Sequence, residues 1–162
     1  MVAHRERAVA RSLVDLAELT RRALDEAIPD TLERDIFVTL HSPPDPIVLM
    51  GDPVNLAEAI KNILDNAVRH GAPSQILVRL SVWEGRAVVQ VEDDGPGIPR
   101  DQWVRVVQRF GAPSAEGRGS GLGLSIAAEV AAAHGGAISF IERGDAGFAV
   151  VMSLAVVVSE VS

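Results

Sequence analysis

An α+β two-layer sandwich is the fold class this sequence of 162 residues predicts, and three observations lead there. Three stretches carry apolar residues at helical spacings of three and four, about six short stretches alternate as strands do, and the strands follow one another in hairpins. Helices and strands do not alternate strictly enough for a doubly wound parallel sheet. The length fits one domain with a short appendage. A net charge of −7 argues against nonspecific attraction to nucleic acid or anionic lipid. The chain has no cysteine, which excludes disulfides and thiolate metal sites. Lys61 is the only lysine, so arginine carries nearly all the positive charge.

In chain order, residues 1–27 show helical periodicity, with Leu13, Leu16, Ala17, Leu24 and Ala27 as the inner face and Pro29 as the stop. The first dozen residues are arginine-rich and weakly patterned, and His4 among them reads as a solvated surface residue. No apolar run follows the charged start, so no signal peptide is expected. Residues 36–41 alternate as a half-buried strand, Pro43, Pro44 and Pro46 mark a loop, and 47–50 form a second short strand. A helix then opens with Asp52 as N-cap and Pro53 in the first turn, and Gly71 suits its C′ position. Val54, Ala57, Ile60, Leu64, Ala67 and Val68 are its expected core stripe. Residues 76–83 and 87–92 form a hairpin across Glu84 and Gly85. A short helix is expected from the Pro99–Asp101 region through Val107, closed by Phe110. After a glycine-bearing loop, residues 121–134 form a third long helix ending at Gly135 and Gly136, where His134 meets the negative end of the dipole. Residues 138–142 and 148–158 close the fold as a hairpin. The last is the most apolar run, yet too short to cross a bilayer.

Three clusters carry chemistry. On the second long helix Glu58, Asn62, Asn66 and His70 recur every four residues. Asn is a poor choice for a helix interior, and two Asn one turn apart can aim amide oxygens at one hydrated cation. At a strand end, EDDGPGIP (92–99) places Asp93 before Gly95 and Gly97. Such a segment is either a tight turn with acidic caps, or a place where backbone approaches a planar ligand and a buried Asp93 accepts from an exocyclic amine. GRGSGLGL (117–124) runs into a helix, so its N–H groups and the helix dipole suit phosphate. No GK[ST] follows, and no strand immediately precedes it, which sets aside the Walker A loop and the dinucleotide fingerprint.

Taken together and in order, these segments resemble the ATP-binding catalytic domain of bacterial sensor histidine kinases, within the gyrase, MutL and chaperone ATPase superfamily (the Bergerat fold). NILDNAVRHG (62–71) looks like the N box, EDDGPGIP the G1 box, VVQRF (106–110) a degraded F box and GRGSGLGLSI (117–126) the G2 box. The resemblance spans about residues 15–157 and implies a two-layer sandwich whose mostly antiparallel mixed sheet is covered on one face by helices. It implies that Asn66 coordinates Mg²⁺, that Asn62 supports it or contacts phosphate, and that Arg69 and His70 reach the phosphates. Asp93 would bind adenine, Gly95 and Gly97 would shape the base pocket with Ile98, and Gly119, Gly121 and Gly123 would wrap the triphosphate with Ser120, Leu122 and Leu124.

The gyrase-like branch has a water-activating Glu four residues before the Mg²⁺-binding Asn, whereas this chain has the neutral Asn62. Slow hydrolysis follows, which favours a kinase. The phosphoacceptor motif, His-Glu/Asp-Leu-Arg-x-Pro, is absent. Residues 1–14 are therefore expected to be a linker stub, with 15–158 the catalytic domain, acting on a His of a separate helical dimerisation domain that passes phosphate to a response regulator. No nucleic-acid or direct membrane contact is expected of this domain, which is expected to be cytoplasmic in a parent that could carry an inner-membrane anchor. Two alternatives stand beside this one: a stand-alone anti-sigma-factor-type serine kinase, and a degenerate nucleotide-sensing or protein-binding domain. The chain departs from the family at Val107, at the residue after Phe110, at the short loop 111–118, at Phe148 after Gly147 and at Ala155. Arg109 and Arg118 are the candidates for the missing lid cation, and an ATP-free lid over 111–120 is expected to be mobile.

Overall fold

The computed structural model describes residues 11–69, 73–108 and 120–156, with only the backbone for 120–122. In order it contains β1 (Ser12–Asp15), α1 (Leu16–Glu33), β2 (Phe37–His41), β3 (Val48–Gly51), α2 (Pro53–Arg69), β4 (Gln75–Trp83), β5 (Arg86–Asp93), α3 (Trp103–Val106), α4 (Ser120–Ala133), β6 (Ala137–Glu142) and β7 (Phe148–Ala155). Five strands form one sheet in the order β2-β4-β5-β7-β6, and β1 pairs with β3 apart from it. The β2–β4 pair is parallel and the other pairs of the large sheet are antiparallel.

Alternation along these strands divides the sheet into two faces. Ile76, Val78, Leu80, Ala87, Val89, Val91, Phe148, Val150, Met152 and Leu154 are buried on the inner face. Against it lie α1, α2 and α4, with α2 between the other two helices. The outer face holds polar pairs: Glu92 meets Arg79 at 3.0 Å and Arg143 at 3.3 Å, and accepts a hydrogen bond from Gln90. Among the described residues no helix is long and apolar enough to cross a membrane.

The expected hairpins form where their turn residues allow. Glu84 and Gly85 both have positive φ, 52° and 74°, as a type I′ turn requires between β4 and β5. At the start of β7, Gly147 has φ 118°, and a Cβ there would collide with the carbonyl oxygen of Asp93. Glycine is what lets β7 begin directly against the end of β5.

The sequence reading needs three corrections. First, residues 12–15 are a strand rather than helix, so Leu13 is 68% exposed. The helix starts at Leu16 because Asp15 caps it, its carboxylate accepting from the N–H groups of Ala17 and Glu18. The expected boundary between residues 14 and 15 thus falls inside β1. Second, Pro29 does not stop α1, which continues to Glu33. The missing N–H costs one bond near the helix end, where Pro29 is exposed, while Thr31 beyond it is buried. Third, the core stripe of α2 is wider than expected and rotated: Leu56, Ala59 and Ile63 are buried, whereas Val54 is 72% exposed. A helix packed on a sheet and between two helices buries more than one narrow stripe.

Candidate functional site

The start of α2 is fixed as its sequence suggests. Asp52 Oδ1 accepts from the N–H groups of Val54 and Asn55 at 3.0 and 3.2 Å, and Oδ2 accepts from Asn55 Nδ2. The Asp52 N–H itself donates to His134 Nε2 at 3.1 Å, and His134 Nδ1 lies 2.8 Å from the Val130 carbonyl. These partners place the imidazole proton on Nδ1. His134 is buried and ties the end of α4 to the start of α2, a structural role with a partner that sequence spacing does not reveal.

Along α2 the polar stripe runs inward as it rises: Glu58 is exposed, Asn62 half-buried and Asn66 buried. Asn62 faces α4, since a Cβ on Gly123 would lie 3.7 Å from the Cβ of Asn62. Its Nδ2 is buried and has no hydrogen-bond partner among the described residues. A buried donor left so costs about 1–3 kcal/mol unless an acceptor reaches it. Asn62 also lines a cavity of about 380 Å³ with Glu26, Ala57, Glu58, Lys61 and Asp65. Burial raises the Asp65 carboxyl above its ordinary range, against the pull of Arg69 and Lys61. A separate cavity of about 220 Å³ between α1, α2 and the β2 edge is lined mainly by apolar side chains and does not reach the Asn pair. Arg69 is turned to α1, 3.5 Å from Asp30. His70, Gly119, Arg109, Phe110, Arg118 and the expected mobile loop lie outside the described residues, as does the expected C′ glycine, Gly71.

At the end of β5, Asp93 is 8% exposed, and its Oδ1 accepts from the N–H of Gly95 at 2.8 Å. Burial pushes this carboxyl above its ordinary value; the Gly95 N–H opposes the rise and the neighbouring Asp94 charge adds to it. Asp94 points the other way. It accepts from the N–H groups of Ser74 and Gln75 at 2.8 and 3.1 Å, and from the Ser74 hydroxyl. The hydroxyl above all holds Asp94 below the ordinary carboxylate value. Asp94 thereby joins the start of β4 to the turn after β5, a link the sequence reading missed because the partner is 20 residues away.

The turn itself rests on aromatic rings. Gly97 has φ 78°, and a Cβ there would overlap the ring of Phe148. Ile98 is buried, and its carbonyl accepts from Trp103 Nε1 at 2.9 Å. The α4 helix opens at Ser120, one residue before its expected start, and Gly121 and Gly123 sit in its first turn. Leu124 is 1% exposed and anchors that turn in the core. The first N–H groups of an α-helix have no intrahelical acceptor, which makes this end suited to an anion.

The described residues thus bring Asn62 against Gly123, bury Asn66 one turn on, and set Asp93 at the end of a strand that packs on α2. No three His, Cys, Asp or Glu residues gather as a metal cage among them. Of the two amides the buried Asn66 offers a hard oxygen of the kind Mg²⁺ accepts.

Comparison with known proteins finds relatives of this fold. The family described as histidine kinase-, DNA gyrase B- and HSP90-like ATPase matches residues 51–157. The sequence is 36% identical over 138 residues to a probable sensor histidine kinase, TcrY, of Mycobacterium tuberculosis, covering 82% of this chain and 29% of that one. It is 37% identical over 129 residues to the sensor-type histidine kinase PrrB of Mycobacterium leprae, covering 78% and 28%. The chain therefore spans less than a third of these relatives. Among solved structures, the mycobacterial sensor histidine kinase MprB superposes with a TM-score of 0.76 at 31% identity, covering 91% of this chain and 98% of that one. The ATP-binding domain of PrrB from Mycobacterium tuberculosis gives 0.73 at 27% identity, covering 90% and 97%.

Proposed function

Because the chain belongs to the histidine kinase-, DNA gyrase B- and HSP90-like ATPase family, we propose that it binds ATP with Mg²⁺ and donates the γ-phosphoryl group to a histidine on a separate helical dimerisation domain. The observation that carries the reading is the buried Nδ2 of Asn62, without a hydrogen-bond partner among the described residues, against the first turn of α4. A phosphate oxygen supplies an acceptor for this donor.

In this reading Asp93 accepts from the amine of adenine through the oxygen that Gly95 does not engage, and Gly95, Gly97 and Ile98 border the base. Backbone N–H groups from Gly119 through Leu124 meet the phosphates, including those of Ser120, Gly121, Leu122 and Gly123. Asn66 holds Mg²⁺, which when bound neutralises charge on the phosphates. Arg69 joins them by leaving Asp30, an exposed pair of small strength, and His70 follows it in sequence. Asn62 is neutral and takes no proton from water, so the γ-phosphoryl group is kept for an imported nucleophile. The histidine nitrogen bonds to phosphorus as the bond to the ADP oxygen breaks. Positioning and charge stabilisation supply the catalysis.

The same reading makes residues 1–14 the link from the helical domain, the last of them pairing into the small sheet through β1. The phosphohistidine then serves a response regulator in two-component signalling, with this domain on the cytoplasmic side of a membrane-anchored parent. Mixing the chain with a separately made cognate helical domain and γ-labelled ATP tests the assignment. Acid-labile label on the helical domain's histidine is expected. Acid-stable label on a serine instead, or no transfer from a preparation that binds ATP, contradicts it.

A further inference from the structure

We propose that Phe148 sets the base selectivity of this site by holding in place the turn that carries Asp93; the inference rests on the nucleotide-binding reading above. Phe148 and Asp93 are directly opposite in the β5–β7 ladder. The ring is 3% exposed and lies beneath Gly97, whose missing side chain lets the turn's backbone rest on it. Phe140 stacks on Phe148 with centroids 5.9 Å apart and planes 23° apart, and Trp103 tilts against it at 6.3 Å. Trp103 also donates to the carbonyl of Ile98. The turn is therefore held at two successive residues, Gly97 from the Phe148 ring and Ile98 from the indole.

Immobility is what turns a carboxylate into a selective acceptor. Adenine presents an amine at the position where guanine presents a carbonyl oxygen. A fixed Asp93 accepts from the first and repels the second. If the turn could shift, water could enter between carboxylate and carbonyl, and the distinction would shrink. Gly95 already occupies one carboxylate oxygen, so the other must be placed by the turn itself. Phe148 is a positioning residue in this scheme: it acts through Gly97 and Asp93 and touches no ligand.

A merely structural role for the ring makes a different forecast, and Phe140 serves as the control because it belongs to the same cluster. Trp83 is 68% exposed on the far hairpin, so Trp83→Phe leaves Trp103 as the single fluorescent reporter beside the turn. In that background, non-hydrolysable ATP and GTP analogues are titrated with Mg²⁺. The parent should prefer ATP by at least about 100-fold, a ratio attainable where a site is built around a hydrogen bond. Phe148→Leu, and Phe148→Met as a variant closer in volume, should narrow that ratio by about tenfold or more. Phe140→Leu should lower the melting temperature yet keep the ratio. An unchanged ratio in both Phe148 variants, with ATP still bound, overturns the inference alone. Equal narrowing in Phe140→Leu also overturns it, by reducing Phe148 to core packing. A parent that binds neither nucleotide overturns the functional reading, and this inference with it.

Discussion

Asp93 and Asp94 are adjacent, chemically identical and shifted in opposite directions. Strand register causes the difference, turning one carboxyl inward among apolar groups and the other outward to Ser74. The two have opposite linkage. A carboxyl whose folded pKa is raised stabilises the fold below its unfolded pKa and loses that contribution as pH rises through the folded value. At neutral pH an ionised, ligand-free Asp93 is thus a destabilising group, and Asp93→Asn should leave the melting temperature unchanged or raise it. The same substitution should weaken an ATP analogue by about 1.5–3 kcal/mol, the usual worth of a hydrogen bond to a charged group. Affinity in the parent should fall on acidification, starting above the ordinary carboxyl value of 3.8. Asp94, with a lowered pKa, contributes stability above its unfolded value that is lost as pH falls through the folded one. Its exposure keeps that contribution small. Calorimetric melting of Ser74→Ala should show a loss of less than about 1 kcal/mol. The EDDGPGIP string showed that acids and glycines meet at a strand end. The reading of Asp93 as the buried acid agrees with the structure, but the string did not show the Phe148 ring beneath Gly97, because that contact depends on pairing with a distant segment.

Among the elements, α1 gives the sharpest test. Pro29 within the helix costs up to about 3 kcal/mol relative to alanine, offset by about 0.4–1 kcal/mol from restricting the unfolded chain. Pro29→Ala should therefore raise the unfolding free energy by about 1–2.5 kcal/mol in urea titrations. A decrease would mean that the ring has packing value its exposed position does not suggest. At the start of α2, Asp52→Ala should cost about 1–2 kcal/mol, because the cap serves two N–H groups. Periodicity and caps made the long elements legible, α2 and α4 almost to the residue. It misplaced the start and end of α1, since β1 is only four residues long and a helix can cross a proline when packing beyond it is retained. The contact between His134 and Asp52 joins residues 82 apart and leaves no trace in local pattern.

On the scale of the whole molecule, the two layers leave α4 with unlike ends. At its C-terminus Arg11 donates to the Ala133 carbonyl at 2.8 Å and Arg86 to the Gly135 carbonyl at 3.0 Å. Cations at that end complement the dipole. The N-terminal end carries the glycines, and in the proposed reading it meets phosphate. Ligand that binds only the folded state adds about 2.7 kcal/mol at a hundredfold excess over Kd. For a domain of this size that corresponds to a rise in Tm of roughly 5–11 °C. The family, the mostly antiparallel mixed sheet and the helical layer were all foreshadowed by the order of the sequence motifs. Whether the motifs act as one site is decided most directly by calorimetric titration of a non-hydrolysable ATP analogue, with and without Mg²⁺, into the parent, Asn66→Ala and Asp93→Asn. The account predicts Mg²⁺-strengthened binding in the parent, loss of the Mg²⁺ effect in Asn66→Ala and binding weakened by about 1.5–3 kcal/mol in Asp93→Asn. Affinity that neither substitution alters would contradict it.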